Sequence, residues 1–118
     1  MQPFRFLNWQ VYKDAKELFR YVYDIISKLP KELRYELGGQ ILRAGSSVIL
    51  NIAEGSGKST DKELRRYFDI SLGSLYELVA GADILVDNGL IQKDQFAVVL
   101  KKSENIAKQL GGFRKTLS

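Results

Sequence analysis

Apolar side chains recur every three or four residues along almost the whole chain, and no stretch shows the strict alternation of a half-buried strand. The clearest run is Leu64, Phe68, Ser71, Leu75, Leu78, Ala82 and Leu85, whose steps of 4, 3, 4, 3, 4 and 3 form one heptad-like seam. Thr60-Asp-Lys-Glu63 precedes it as a capping box, with Thr60 serving the Glu63 amide and Glu63 reaching back. Asn88-Gly89 closes it.

Three further segments carry the same period. The first reads Trp9, Tyr12, Ala15, Leu18/Phe19, Val22, Ile26 and Leu29, with Asn8 as the expected N-cap and Pro30 as its stop. The second reads Leu33, Leu37, Ile41, Ala44, Val48 and Ile52 and ends at Gly55. The fourth starts near Gln92 and reads Phe96, Val99, Ser103, Ile106 and Leu110. Gly111-Gly112 either ends it or lets it run on through Phe113 and Leu117. Four helical segments with short connections predict an all-α fold: an antiparallel up-down-up-down four-helix bundle, a single domain over residues 1–118. At about 1.5 Å per residue, the second and third helices come to roughly 35–42 Å.

Seven of the ten glycines fall inside these segments: Gly38, Gly39, Gly45, Gly73, Gly81, Gly111 and Gly112. A helical glycine costs about 1 kcal/mol against alanine. Close helix approach, within the bundle or between subunits, is the expected compensation at Gly38, Gly45 and Gly73.

Composition narrows the chemistry. The chain has no Cys and no His. That removes disulfides, thiol nucleophiles, the commonest general base and the commonest transition-metal ligand. No enzyme activity, cofactor or metal is expected. Cysteine usage suits a reducing cytoplasm. The first ten residues show no signal-peptide pattern. The charge-free stretch Ala44 to Ala53 is too short to span a bilayer. The net charge of +4 is not spread evenly: residues 1–100 are balanced, and residues 101–118 hold five basic side chains against Glu104.

Four groups of residues invite a functional reading. Gly57-Lys-Ser-Thr60 resembles the end of a phosphate-binding loop, but Ile52 stands where that motif needs its first glycine. A solvated connection leading into the capping box accounts for it better. Gln40, Arg43, Ser47, Asn51 and Glu54 form a polar stripe on the second helix, with Ser74 and Glu77 one turn apart on the third. Pairing the two helices around the 55–59 loop sets Gln40 level with Ser74 or Leu75 and lets Arg43 reach toward Glu77. The stripe is either a ligand site or a hydrogen-bond network fixing helix register, and the missing base and nucleophile favour the network. Glu54 and Glu77 are the one carboxylate pair available to an enzyme. Lys101, Lys108 and Lys115 are spaced by seven and form a stripe of a continuous helix, with Lys102 and Arg114 adding charge. Lys58, Lys62, Arg65 and Arg66 make a second basic group, interrupted by Asp61 and Glu63. Both groups suit nucleic-acid phosphates or an acidic partner, or are simply solvated.

Gln40-Ile-Leu-Arg-Ala-Gly-Ser-Ser-Val-Ile-Leu-Asn-Ile-Ala-Glu-Gly-Ser-Gly-Lys58 resembles the signature of the four-helix bundle proteins known as products of 23S rRNA intervening sequences. So do Glu63-Leu-Arg-Arg-Tyr-Phe68, Ser71-Leu-Gly-Ser-Leu-Tyr-Glu-Leu78 and the early Trp9-Gln-Val-Tyr-Lys-Asp-Ala15. The signature positions matched are Gln40, Arg43, Ser47, Asn51, Glu54, Gly55, Ser74 and Glu77; Gly45 departs, where the family usually has Ala. The resemblance implies the antiparallel bundle, a ring-like homopentamer and no enzymatic activity. Accessory proteins of diversity-generating retroelements are related to that family, so the resemblance also implies RNA or DNA and a reverse transcriptase as partners. Two functions follow as expectations: a non-catalytic, nucleic-acid-associated oligomer acting through the basic fourth helix, or an oligomeric protein-interaction scaffold that does not touch nucleic acid.

Overall fold

The computed structural model describes residues 2–117; Met1 and Ser118, the outermost residues of the expected domain, lie outside the described residues. A short 3-10 helix, Arg5–Asn8, leads into α1 (Gln10–Ser27). A five-residue helix, α2 (Lys31–Tyr35), is followed by α3 (Leu37–Ser56), α4 (Asp61–Asp87) and α5 (Lys93–Lys115). The four long helices pack side by side in a body of 45 × 22 × 20 Å. No strand occurs among the described residues, and none of their helices is long and apolar enough to cross a membrane.

The heptad seam of α4 is the centre of the core. All seven of its residues are buried, Phe68, Ser71 and Leu78 completely. Ile41, Ala44, Val48 and Ile52 of α3 face it, joined by Ala15, Leu18, Val22 and Ile26 of α1 and by Val99, Ile106 and Leu110 of α5. Contacts between neighbours fix the register. On α3 and α4, Ser71 Oγ donates to the Val48 carbonyl at 2.8 Å, and Ser47 Oγ lies 2.7 Å from Ser74 Oγ. A Cβ on Gly81 would come 2.5 Å from Ile41 Cγ1, and one on Gly55 would come 2.9 Å from Tyr67 Cβ. Gln40 lines a small cleft with Glu77, Ala80 and Gly81, so it lies about two turns further along α4 than pairing around the 55–59 loop implies. The reason is the turn: Gly55 seats on Leu64 and Tyr67, one turn into α4, and not on its first residues.

Other boundaries shift for identifiable reasons. The helix expected to run unbroken from Leu33 to Ile52 is interrupted at Glu36, whose φ of −86° and ψ of −84° leave helical geometry. The break lets α3 lie against α1 at Gly38, where a Cβ would sit 2.7 Å from Ile26 Cγ2. Trp9, in extended backbone, takes the N-cap position expected of Asn8, because Asn8 closes the 3-10 turn. α3 continues past Gly55 to Ser56, with Gly57 at its C-cap. At the start of α4 the Thr60 hydroxyl accepts from the Glu63 amide at 3.2 Å, while the Glu63 carboxylate meets the Thr60 hydroxyl at 3.3 Å.

Close approach holds at Gly38 and at Gly45, where a Cβ would meet Phe19 at 3.1 Å and Leu78 at 3.3 Å. Gly73 is different. It is exposed, and nothing lies within 4 Å of a Cβ built there, so no approach within this chain explains it.

Candidate nucleic-acid interface

α5 runs without interruption through Gly111-Gly112 to Lys115. Two helical glycines cost about 2 kcal/mol together. Phe113 offsets that cost by packing on Trp9 at 4.8 Å and Phe68 at 5.0 Å between ring centroids, each pair worth about 0.5–1.5 kcal/mol beyond the area it buries. The Arg114–Asp69 ion pair, at 3.2 Å, adds a second tie to α4. The continuous helix makes Lys101, Lys108 and Lys115 a stripe, about 10 Å between successive members. All three are exposed and, among the described residues, have no acidic partner.

The other two basic residues of α5 are already committed. Lys102 Nζ pairs with Glu17 of α1 at 2.9 Å and Arg114 with Asp69. Both are half-buried. They hold α5 to its neighbours and belong to the sequence-predicted site only as charge behind it.

The second basic group lies at the end of the molecule where α5 finishes. Phe68 touches Phe113, and Asp69 binds Arg114, so the start of α4 stands beside the last turn of α5. Lys62 and Arg66 are exposed there. Lys58 sits 5.1 Å over the Tyr67 ring and 3.9 Å from Glu54, and Arg66 lies 5.6 Å from the same ring. Arg65 is half-buried in this group. Arg5 completes the end, its Nε donating to the Ser56 carbonyl at 3.1 Å and its guanidinium lying over Trp9. More than 30 residues separate these two basic groups in the sequence; packing brings the last turn of α5, with Lys115, to the end that holds Lys62 and Arg66.

The polar stripe of α3 divides. Ser47 and Asn51 are half-buried: Asn51 Nδ2 donates to the Ser47 carbonyl at 2.8 Å and to Ser47 Oγ at 3.0 Å, and Ser47 meets Ser74 across the helix gap. Gln40, Arg43, Glu54 and Glu77 are exposed. Arg43 does not reach Glu77. Its guanidinium folds back over Gly39, where a Cβ would lie 3.3 Å from Nη1. Glu54 and Glu77 are not brought together either: Glu54 stands level with the first turns of α4, and Glu77 faces Gln40 about 15 Å further along the bundle.

One polar centre was not picked out in the sequence. Asp14 accepts from Gln10 at 2.7 Å, Asn105 at 3.0 Å and Gln109 at 2.6 Å. Partial burial raises its pKa, but these amide donors and the charge of Lys102 outweigh that and hold it below the usual aspartate range. Gln10 and Asp14 share the spacing of one helix turn, as do Asn105 and Gln109, yet nothing in the sequence pairs the two helices.

With the geometry established, similarity to known proteins decides the family. The description of the 23S rRNA-intervening sequence protein matches residues 8–112, a span reaching from the start of α1 to the last turn of α5. The chain belongs to that family. No curated protein matches it. A Bacteroides thetaiotaomicron protein of the S23 ribosomal protein family, described as having unknown function, is similar in structure with a TM-score of 0.80 and 22% identity over 90% of this chain and 99% of its own. At that identity the likeness speaks for the fold. The residues through which the chain resembles that family divide in the structure: Asn51, Ser47 and Ser74 form a short hydrogen-bonded link, Gln40, Arg43, Glu54 and Glu77 are exposed, and Gly55 is buried.

Proposed function

We propose that this 23S rRNA-intervening sequence protein is a non-catalytic, cytoplasmic homo-oligomer, a pentamer in the family's manner, that associates with RNA through α5 and the basic end beside it. The observation carrying this reading is the unbroken α5 stripe, Lys101, Lys108 and Lys115, ending next to Lys62 and Arg66. Exposed lysines without acidic partners contact phosphates at the smallest loss of existing bonds. The antiparallel up-down-up-down arrangement belongs to the same reading. It is supported by partner numbers that rise on one helix as they fall on the next, as in Val48–Ser71 and Ile41–Gly81, or Glu17–Lys102 and Asp14–Gln109. Filter binding of a structured RNA across a salt series tests the function. Affinity that falls steeply with salt is expected; a flat response, or no binding at low salt, overturns the reading.

A second reading is an oligomeric scaffold, or an accessory to a protein such as a reverse transcriptase, that leaves nucleic acid alone. It is favoured by the exposed apolar side chains of α3 and α4, Leu50 at 63% and Ile84 at 48%, and by Gly73, which meets nothing within the chain.

A further inference from the structure

α4 and α5 do not close on one another along their whole length. Ala80, Ser103 and Ala107 stand between them where other seams carry larger side chains, and a groove of about 410 Å³ opens. Leu75 and Ser103 are buried at its floor, Val79 and Phe96 are half-buried, and Tyr76 and Leu100 are exposed at its edge. From Leu75 to Asp83 it runs about 12 Å, slightly more than two helical turns. Such a length receives apolar side chains at positions i, i+4 and i+7 of another helix.

Charge describes what fits: the charged side chains that line the groove, Asp83 and Glu104, are both acidic. From Tyr67 to Gln92 the chain carries Asp69, Glu77, Asp83 and Asp87 and no Lys or Arg. Asp69 is taken by Arg114, but Asp83 lies on the groove, with Asp87 one turn beyond it. On α5 the groove meets Glu104, with Lys101 and Lys108 about one turn to either side. The α4 wall is therefore acidic and the α5 wall mixed.

We infer that this groove docks an amphipathic, cationic helix of a partner protein. Its apolar residues lie over Leu75, Val79 and Phe96, and its Lys or Arg residues lie along Asp83 and Asp87. Lys101 and Lys108 flank Glu104, so the α5 rim of the groove adjoins the lysine stripe proposed for RNA, while the α4 wall with Asp83 carries no Lys or Arg.

The test uses the full chain and two labelled synthetic peptides, an amphipathic leucine–lysine helix and its leucine–glutamate counterpart, followed by fluorescence anisotropy. The leucine–lysine peptide is expected to bind about tenfold or more tightly than the other. Ala107→Trp fills the groove and is expected to cost about tenfold in affinity, and Asp83→Lys, an exposed change that leaves folding intact, a similar factor. Amide resonances of Val79 to Asp83 and Phe96 to Ala107 are expected to shift on peptide addition. Equal binding of the two peptides overturns the proposal, as does unchanged binding by Asp83→Lys. So does a fall in sedimentation mass with Ala107→Trp, which assigns the groove to a second copy of this chain, or competition by RNA that persists when Lys101 and Lys108 are replaced by Ala, which assigns the groove itself to nucleic acid. Peptide binding that persists when the chain fails to bind RNA supports the groove and removes the RNA reading alone.

Discussion

Gly81 and Gly111 sit in helices of the same chain and meet opposite surroundings. A Cβ at Gly81 would strike the Ile41 side chain at 2.5 Å, while one at Gly111 meets nothing within 4 Å. Gly81→Ala is therefore expected to destabilise the fold by about 1–3 kcal/mol through overpacking. Gly111→Ala is expected to stabilise it by up to about 1 kcal/mol through helix propensity. Urea denaturation of the two variants measures both signs. Asp14 gives a different residue-scale prediction. Its pKa is lowered in the folded chain, so the stability it contributes is present above the unfolded aspartate range and is lost as pH falls through the folded value. Asp14→Ala should lower the melting temperature near neutral pH, and the gap to the unsubstituted chain should narrow as the solution is made acidic. A gap that stays constant down to strongly acidic pH would show that the carboxylate charge is not what its amide partners hold.

α5 shows how an element escapes its own propensities. Gly111-Gly112 invites termination, yet Phe113 between Trp9 and Phe68, with Arg114 on Asp69, carries the helix onward. That continuation creates the lysine stripe, and its basic residues are expected to separate by role. Replacing Lys101, Lys108 and Lys115 with Ala should reduce the slope of log affinity against log salt by about 2 for single-stranded RNA, at roughly 0.7 per phosphate contact. Lys102→Ala removes a partner of Glu17 instead, and should alter thermal stability more than that slope. Salt-series binding and thermal melts on the two variants separate these effects. The opposite case is the segment from Leu33 to Ile52. Its apolar spacing is continuous, but the chain leaves helical geometry at Glu36 so that Gly38 can press on Ile26.

At the scale of the whole molecule, the bundle buries its four apolar seams and still leaves Leu50, Ile70, Tyr76 and Ile84 exposed on α3 and α4. If copies of the chain meet on this face, Leu50→Asp disrupts association without disturbing the core, because Leu50 is already 63% exposed. Analytical ultracentrifugation at micromolar concentration is expected to show an oligomer for the unsubstituted chain and a smaller species for Leu50→Asp, with an unchanged melting temperature. A monomer in both cases removes the oligomer from the proposed function. The candidate site was only partly legible at this scale. The lysine stripe could be read from a spacing of seven, because one helix sets it. The joining of that stripe to Lys62 and Arg66 could not, because it needs the start of α4 to stand beside the end of α5.

The sequence by itself determined that the chain is helical, where α4 begins and ends and where α5 begins, and most of the buried seam of each long helix. Helix period and capping act over three or four residues, so a local pattern such as Leu64 to Leu85 carries that information. Only the tertiary structure decided the register of α3 on α4, the fate of Arg43, the amide cage around Asp14 and the open groove at Ala80 and Ala107. Each depends on which residues meet across a helix gap. That is set by side-chain volumes and glycine contacts on two elements at once, as where Gly55 seats on Leu64 and Tyr67, and by no property of either helix read alone.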